Sequence, residues 1–148
     1  MQLQVDLDWE LCGQVTVSGE ALTTPSLPSA PGVYQWVFRH AGHERRYVGE
    51  AANLSRRFQH YRTPGPSQTT NLRMNQRAKR VIANRGSVEI MLATKIRLVV
   101  DGATSSPDLN SPFVRRFVEN AALLSLVASN CGIVNGAGYG ELTNEVLR

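Results

Sequence analysis

Residues 32–61 read GVYQWVFRHAGHERRYVGEAANLSRRFQHY, and the fold turns on how this stretch changes period. Val33, Tyr34, Trp36, Val37 and Phe38 have the β-branched and aromatic make-up of a buried strand. The segment HAGHE offers a turn at Gly42, and RRYVG returns as a second strand, which predicts an antiparallel hairpin. Beyond Gly49 the spacing becomes helical: Leu54, Phe58 and Tyr61 make one apolar stripe, with Asn53 placed as the N-cap. On a helix stepping about 100° per residue, Arg57 lies about 40° from Tyr61 and about 60° from His60. A guanidinium, a phenol and an imidazole therefore share one edge of the stripe. Such a trio suits a phosphodiester; the plainer alternative is a core tyrosine beside a snorkelling arginine and a solvated histidine.

Working outward, LQVDLDWEL and GQVTVSG are predicted as two short strands of an N-terminal β extension, and TTPSLPSAPG as a proline-rich connector. Residues 1–30 are thus an extension and linker, and 31–148 the main body of a single domain. After the central helix, RTPGPSQTT breaks the chain, and a basic helix is expected over 71–85. The run SVEIMLATKIRLVV predicts a third strand near 88–93, and DGATSSPDLN a turn-rich insertion. Ser111 and Pro112 have the N-cap and first-turn chemistry of a helix over 112–129. Asn135-Gly136 is a turn signal, and ELTNEVLR a short closing helix or tail. The predicted fold is α/β of the α+β type: a small central three-stranded sheet, antiparallel in part, flanked by helices.

Charge is the next constraint. The net value of +4 is modest, but residues 51–88 hold Arg56, Arg57, Arg62, Arg73, Arg77, Lys79, Arg80 and Arg85 with no Asp or Glu. An anionic partner is implied. Fourteen of the sixteen basic residues are arginine, which favours forked hydrogen bonds to phosphate. Coding bias in a GC-rich genome would explain that ratio equally well, but not the missing acids. Arg73, Arg77 and Arg80 share a helix face at i, i+4, i+7, and with Arg56 and Arg62 they are the expected nucleic-acid contacts. No apolar run reaches the roughly 18 residues of a membrane span, and the acidic start MQLQVDLDWE is unlike a leader, so a cytoplasmic location is expected. Cys12 and Cys131 read as two reduced, buried side chains.

The second informative stretch is FVENAALLSLVA, apolar nearly all round, with Glu119 set among leucines. A carboxylate there needs a partner. Arg115 or Arg116 is one answer, although arginine N-terminal to glutamate is the weaker helical orientation, and a divalent cation is the other.

Gly32-Val33-Tyr34, Tyr47-Val48-Gly49 and the helix pattern Asn53, Leu54, Arg57 together resemble the signature of GIY-YIG endonucleases. The resemblance runs from Gly32 to Asn135, and it implies a Mg²⁺-dependent (or Mn²⁺-dependent) endonuclease acting on DNA. It also implies catalytic roles for Tyr34, Tyr47 and Arg57, for either His60 or Tyr61, for Glu119 as the metal ligand and for Asn135 as a site-organising residue. In such an enzyme Arg57 grips the scissile phosphate, and Tyr47 or Tyr34 orients or deprotonates water, a task that calls for a lowered phenol pKa. His60 is the rival base. The runner-up is a catalytically idle nucleic-acid-binding module of the same fold, and a third reading is an unrelated RNA-binding protein. With one domain and no separate reader of DNA sequence, targeting is expected from a homodimer, a partner protein, a structure in the DNA or the insertions.

Overall fold

The hairpin forms as its sequence predicts, in the middle of a larger sheet. The structure, a computed structural model, describes residues 1–135. Within them the elements run β1 (Leu3–Gln14), β2 (Thr16–Ser18), β3 (Ala21–Thr23), β4 (Gly32–His40), β5 (His43–Ala51), α1 (Leu54–Arg62), α2 (Thr69–Ala83), β6 (Ser87–Val100), β7 (Ala103–Ser105), α3 (Pro112–Ala128) and β8 (Gly132–Ile133). The β4–β5 turn is two residues long, with Ala41 at φ 50° and Gly42 at φ 79°, the left-handed pair whose twist matches a hairpin. Its register sets Tyr34 opposite Gly49 and Trp36 opposite Tyr47.

The expected three-stranded sheet is too small. Strands β4, β5 and β6 are its antiparallel centre, but the observed sheet is six-stranded and mixed, ordered β1-β6-β4-β5-β8 with β7 also on β6. The reason lies in the length of β6. Its pairing with β4 ends at Leu92, while β1 pairs along its other side from Glu89 to Val100 and β7 pairs with its last three residues. The two expected N-terminal strands are present as β1 and β2, but β1 runs on to Gln14 because Gly13, at φ 148°, sits at a β-bulge and lets the strand pass through it. The TVS segment leaves the main sheet and pairs with β3 as a separate ribbon. The closing segment 141–148 and Gly136 lie outside the described residues.

Helix caps follow the sequence closely. The Asn53 side chain accepts the Arg56 amide at 3.0 Å, and Ser111 accepts that of Val114 ahead of Pro112. α2 begins at Thr69, two residues before the expected start. Two cores sandwich the sheet. On one face Tyr34, Trp36 and Phe38 pack with Phe58, Tyr61, Met74 and Ala78 of α1 and α2; on the other Val33 and Val48 meet Val118, Ala122 and Leu123 of α3. β4 is consequently buried on both sides. Both cysteines are free and only half-buried, short of the full burial expected. Among the described residues no helix is long and apolar enough to cross a membrane.

Two glycines have steric reasons. A Cβ on Gly32 would stand 2.6 Å from Cδ1 of Leu54, and one on Gly49 would stand 2.5 Å from the Tyr34 hydroxyl. Gly49 is therefore the floor on which the Tyr34 ring lies. Gly49→Ala is expected to destabilise the fold by about 1–3 kcal/mol through overpacking, read as a lower denaturant midpoint at unchanged slope. An unchanged midpoint would mean that the ring does not press on this strand.

Candidate active site

Tyr34 points from β4 onto α1, wholly buried, and its hydroxyl lies 2.7 Å from that of Tyr61. Nε of Arg57 donates to the Tyr34 hydroxyl at 3.3 Å, while the guanidinium carbon sits 4.9 Å from the Tyr61 ring centroid. The i, i+4 spacing on α1 brings the guanidinium and the second phenol to the same place, as the helical wheel predicts. Phe58 wedges the rings from below, edge-on to Tyr34 at 4.9 Å and to Tyr61 at 5.3 Å. Tyr47, half-buried on β5, completes the group at its rim, within electrostatic reach of Tyr61, Arg57 and Glu119.

Burial pushes the phenols of Tyr34, Tyr47 and Tyr61 well above the ordinary tyrosine range, and the Arg57 guanidinium, which pulls each of them down, does not outweigh it. Neighbouring phenols raise Tyr47 and Tyr61 further, and the Glu119 carboxylate adds to the rise at Tyr47. Arg57 alone therefore does not bring a phenol toward neutral pH. Burial also disfavours the charge of Arg57, but the oxygens of Tyr34 and Tyr61 more than compensate and raise its pKa. The site holds a fixed cation among neutral hydroxyls.

Glu119 is buried on α3, across the sheet from α1, and its influence on Tyr47 places it near the edge of β5. Arg115, one turn earlier, is committed elsewhere: Nε pairs with Glu50, and Nη1 donates to the carbonyls of Leu109 and Asn110. This buried arginine joins α3 to the strand residue that follows Gly49 and to the end of the 101–111 insertion. Arg116 is exposed. Asn135 behaves as a substitute peptide group, donating to the Val48 carbonyl at 2.7 Å and accepting the Val48 amide at 3.0 Å. Its side chain carries the contacts of β8 two residues beyond Ile133 and fixes the backbone between Tyr47 and Gly49.

Of the remaining sequence-predicted residues, His60 is half-buried and has no hydrogen-bond or ion-pair partner among the described residues, so Tyr61 is the one drawn into the cluster. Arg56 is exposed, and Arg62 donates to Thr24 at 2.8 Å. Arg73 and Arg80 are exposed on α2, with Arg77 half-buried between them. Among the described residues none of the eight basic side chains of 51–88 forms a salt bridge. Glu50 escaped sequence reasoning, because a strand carboxylate meeting a helix arginine 65 positions away leaves no local pattern. Among the described residues no group of three or more His, Cys, Asp or Glu converges.

No known protein-family profile, curated protein or solved structure matches the chain.

The raised phenols make a pH prediction whose sign is definite. A tyrosine whose folded pKa lies above its unfolded value contributes stability that is complete below about pH 10 and is lost as pH climbs through the folded pKa. Tyr34, Tyr47 and Tyr61 should therefore ionise together with alkaline unfolding, so that tyrosinate absorbance and far-ultraviolet dichroism change in step. Ionisation of three tyrosines near pH 10 with the fold intact would contradict their burial.

Proposed function

We propose that the chain is a divalent-metal-dependent endonuclease of the GIY-YIG type, hydrolysing phosphodiester bonds of DNA in the cytoplasm. The observation that carries this reading is the meeting of two motif tyrosines, a helix arginine and a helix tyrosine at one end of the hairpin, with a carboxylate from α3 acting on the outermost phenol. The two motif glycines support it, since each makes room for a side chain of that cluster or of the helix carrying it.

The chemistry follows from what each group can do. Arg57, charged and held from one side by the Tyr34 hydroxyl, offers its other N–H groups to a non-bridging phosphate oxygen, where negative charge grows in the transition state. Tyr47, the phenol at the rim, orients the attacking water by hydrogen bonding. Tyr34 and Tyr61 are positioning residues that keep the guanidinium from swinging. Asn135 fixes the strand under Tyr47, and the Arg115–Glu50 pair fixes α3 so that Glu119 lies beside it. Glu119 would hold Mg²⁺ or Mn²⁺, which would supply Lewis-acid stabilisation of the leaving oxygen. His60, the alternative base, is not drawn into the cluster.

A second reading, a nucleic-acid-binding module without activity, draws on the same geometry: Tyr34 and Tyr61 are sealed from solvent and turn their hydroxyls to each other. One assay separates them. Supercoiled plasmid should be nicked by the wild type only with Mg²⁺ or Mn²⁺, and not by Glu119→Ala. Arg57→Ala should cut about 10²–10³-fold more slowly while binding DNA within about tenfold of wild type, and His60→Ala should cut within a few-fold. Binding without metal-dependent cutting would establish the idle module instead. An Arg57 variant that lost affinity but kept its turnover would remove that residue from the chemistry.

A further inference from the structure

A group of arginines without salt bridges among the described residues lies at the other end of the hairpin from the tyrosines. The guanidinium carbon of Arg77, on α2, sits 5.9 Å from the ring centroid of Phe38 on β4. Phe38 is paired in register with Arg45 on β5. Arg45 is accommodated by a missing side chain, because its own register partner on β8 is Gly132, where a Cβ would stand 2.6 Å from Cδ of Arg45. Arg73 and Arg80 flank Arg77 on the outer face of α2, within about 60° of one another around the helix axis. Arg77 thus lies over the ring, and three more arginines from a helix and a strand lie within electrostatic reach of it.

None of the four has an ion pair among the described residues. The neighbouring carboxylates are engaged elsewhere: Glu44 holds Arg39 and Arg46, and Glu89 holds Arg39. Arg77 is half-buried as well, so it has lost part of its hydration without gaining a counter-charge. Burial first, then Arg80, Arg73 and Arg45, all act to push its pKa below the usual arginine value. An ordinary solvated face disperses its charges into water. This one holds a guanidinium over a ring and surrounds it with like charge, an arrangement relieved by a bound anion.

We propose that Arg45, Arg73, Arg77 and Arg80 form a second phosphate-binding surface that grips the backbone of duplex DNA, with Arg77 as its fixed anchor. The choice of DNA rests on the nuclease reading; the affinity for a polyphosphate backbone does not. Phe38 and Tyr34 lie on the same face of β4 and four residues apart, which separates the surface from the tyrosine cluster by ~13 Å. That is roughly the axial rise of four base pairs in a B-form duplex. A duplex seated at Tyr47 and Arg57 therefore still runs past the four arginines, and they fix its path on one side of the cut.

Salt dependence tests this without any cleavage. Binding of a labelled short duplex DNA is measured in metal-free buffer over a range of salt concentrations, for the wild type, Arg77→Gln and the triple change Arg45→Gln, Arg73→Gln, Arg80→Gln. Arg77→Gln should flatten the log-log salt slope by about one, and the triple change by about two to three, uniformly across DNA sequences. Unchanged slopes in variants with wild-type unfolding midpoints would overturn the proposal. Tighter wild-type binding to duplex RNA than to duplex DNA would overturn the choice of DNA. The two readings fail separately: flattened slopes with no metal-dependent nicking sink the nuclease and keep this surface, whereas nicking with unchanged slopes does the reverse.

Discussion

The hydroxyl-to-hydroxyl bond of 2.7 Å between Tyr34 and Tyr61 is the contact on which the arrangement depends. It is buried, it joins the first strand of the hairpin to the helix that follows, and it exists because both phenols would otherwise be desolvated without a partner. Such a bond adds only about 0.5–1.5 kcal/mol net, but removing one member leaves the other unsatisfied at a cost of about 1–3 kcal/mol. Gly49 is required beneath it, since any Cβ there would occupy the place of the Tyr34 hydroxyl. Arg57 is required above it, because it donates to one phenol and stacks on the other. One constraint thus explains a strand glycine, two tyrosines and an arginine.

The other half of the site is secured by polar groups acting at a distance from it. Asn135 completes the backbone pairing of Val48 with its own amide, holding the segment from Tyr47 to Gly49 where β8 has ended. Arg115 and Glu50 form an ion pair with little exposure, 7% and 20% of their side chains. A pair so buried is weak evidence of net stability, because the desolvation of both charges offsets their attraction. Its consequence here is registry: it ties α3 to β5 one turn from Glu119. That is how a carboxylate on the far side of the sheet comes to act on a phenol whose core lies on the near side.

Much of this was legible in the sequence, for local reasons. The hairpin, the Asn53 and Ser111-Pro112 caps, and the sharing of one helix edge by Arg57 and Tyr61 all follow from turn, cap and helical-period chemistry acting over a few residues. The sheet was underestimated because strand number depends on pairing between β1 and β6, segments about ninety positions apart whose registers no local pattern announces. Gly13 reads as a break when only its neighbours are considered, but a bulge absorbs it. His60 and Tyr61 were equally plausible by angle, and burial against Trp36 and Phe58 separates them. That burial outweighs Arg57 at the phenols was not legible, because the charge of Arg57 is visible in the sequence and the depth of burial is not. Arg45 was missed as a member of the α2 arginine surface for the same reason as Glu50: its neighbours come from elsewhere in the chain.

If Glu119 holds the proposed cation, that ion would sit beside Tyr47, at the same end of the hairpin as Arg57. Paramagnetic Mn²⁺ titrated into isotope-labelled protein, with an uncleavable duplex bound, reads this directly from line broadening. The account predicts that the amides of Tyr47, Val48, Gly49 and Glu119 broaden first, while those of Phe38 and Arg77 at the opposite end stay sharp. Broadening centred on any other surface, or none near Tyr47 while DNA is bound, would contradict it.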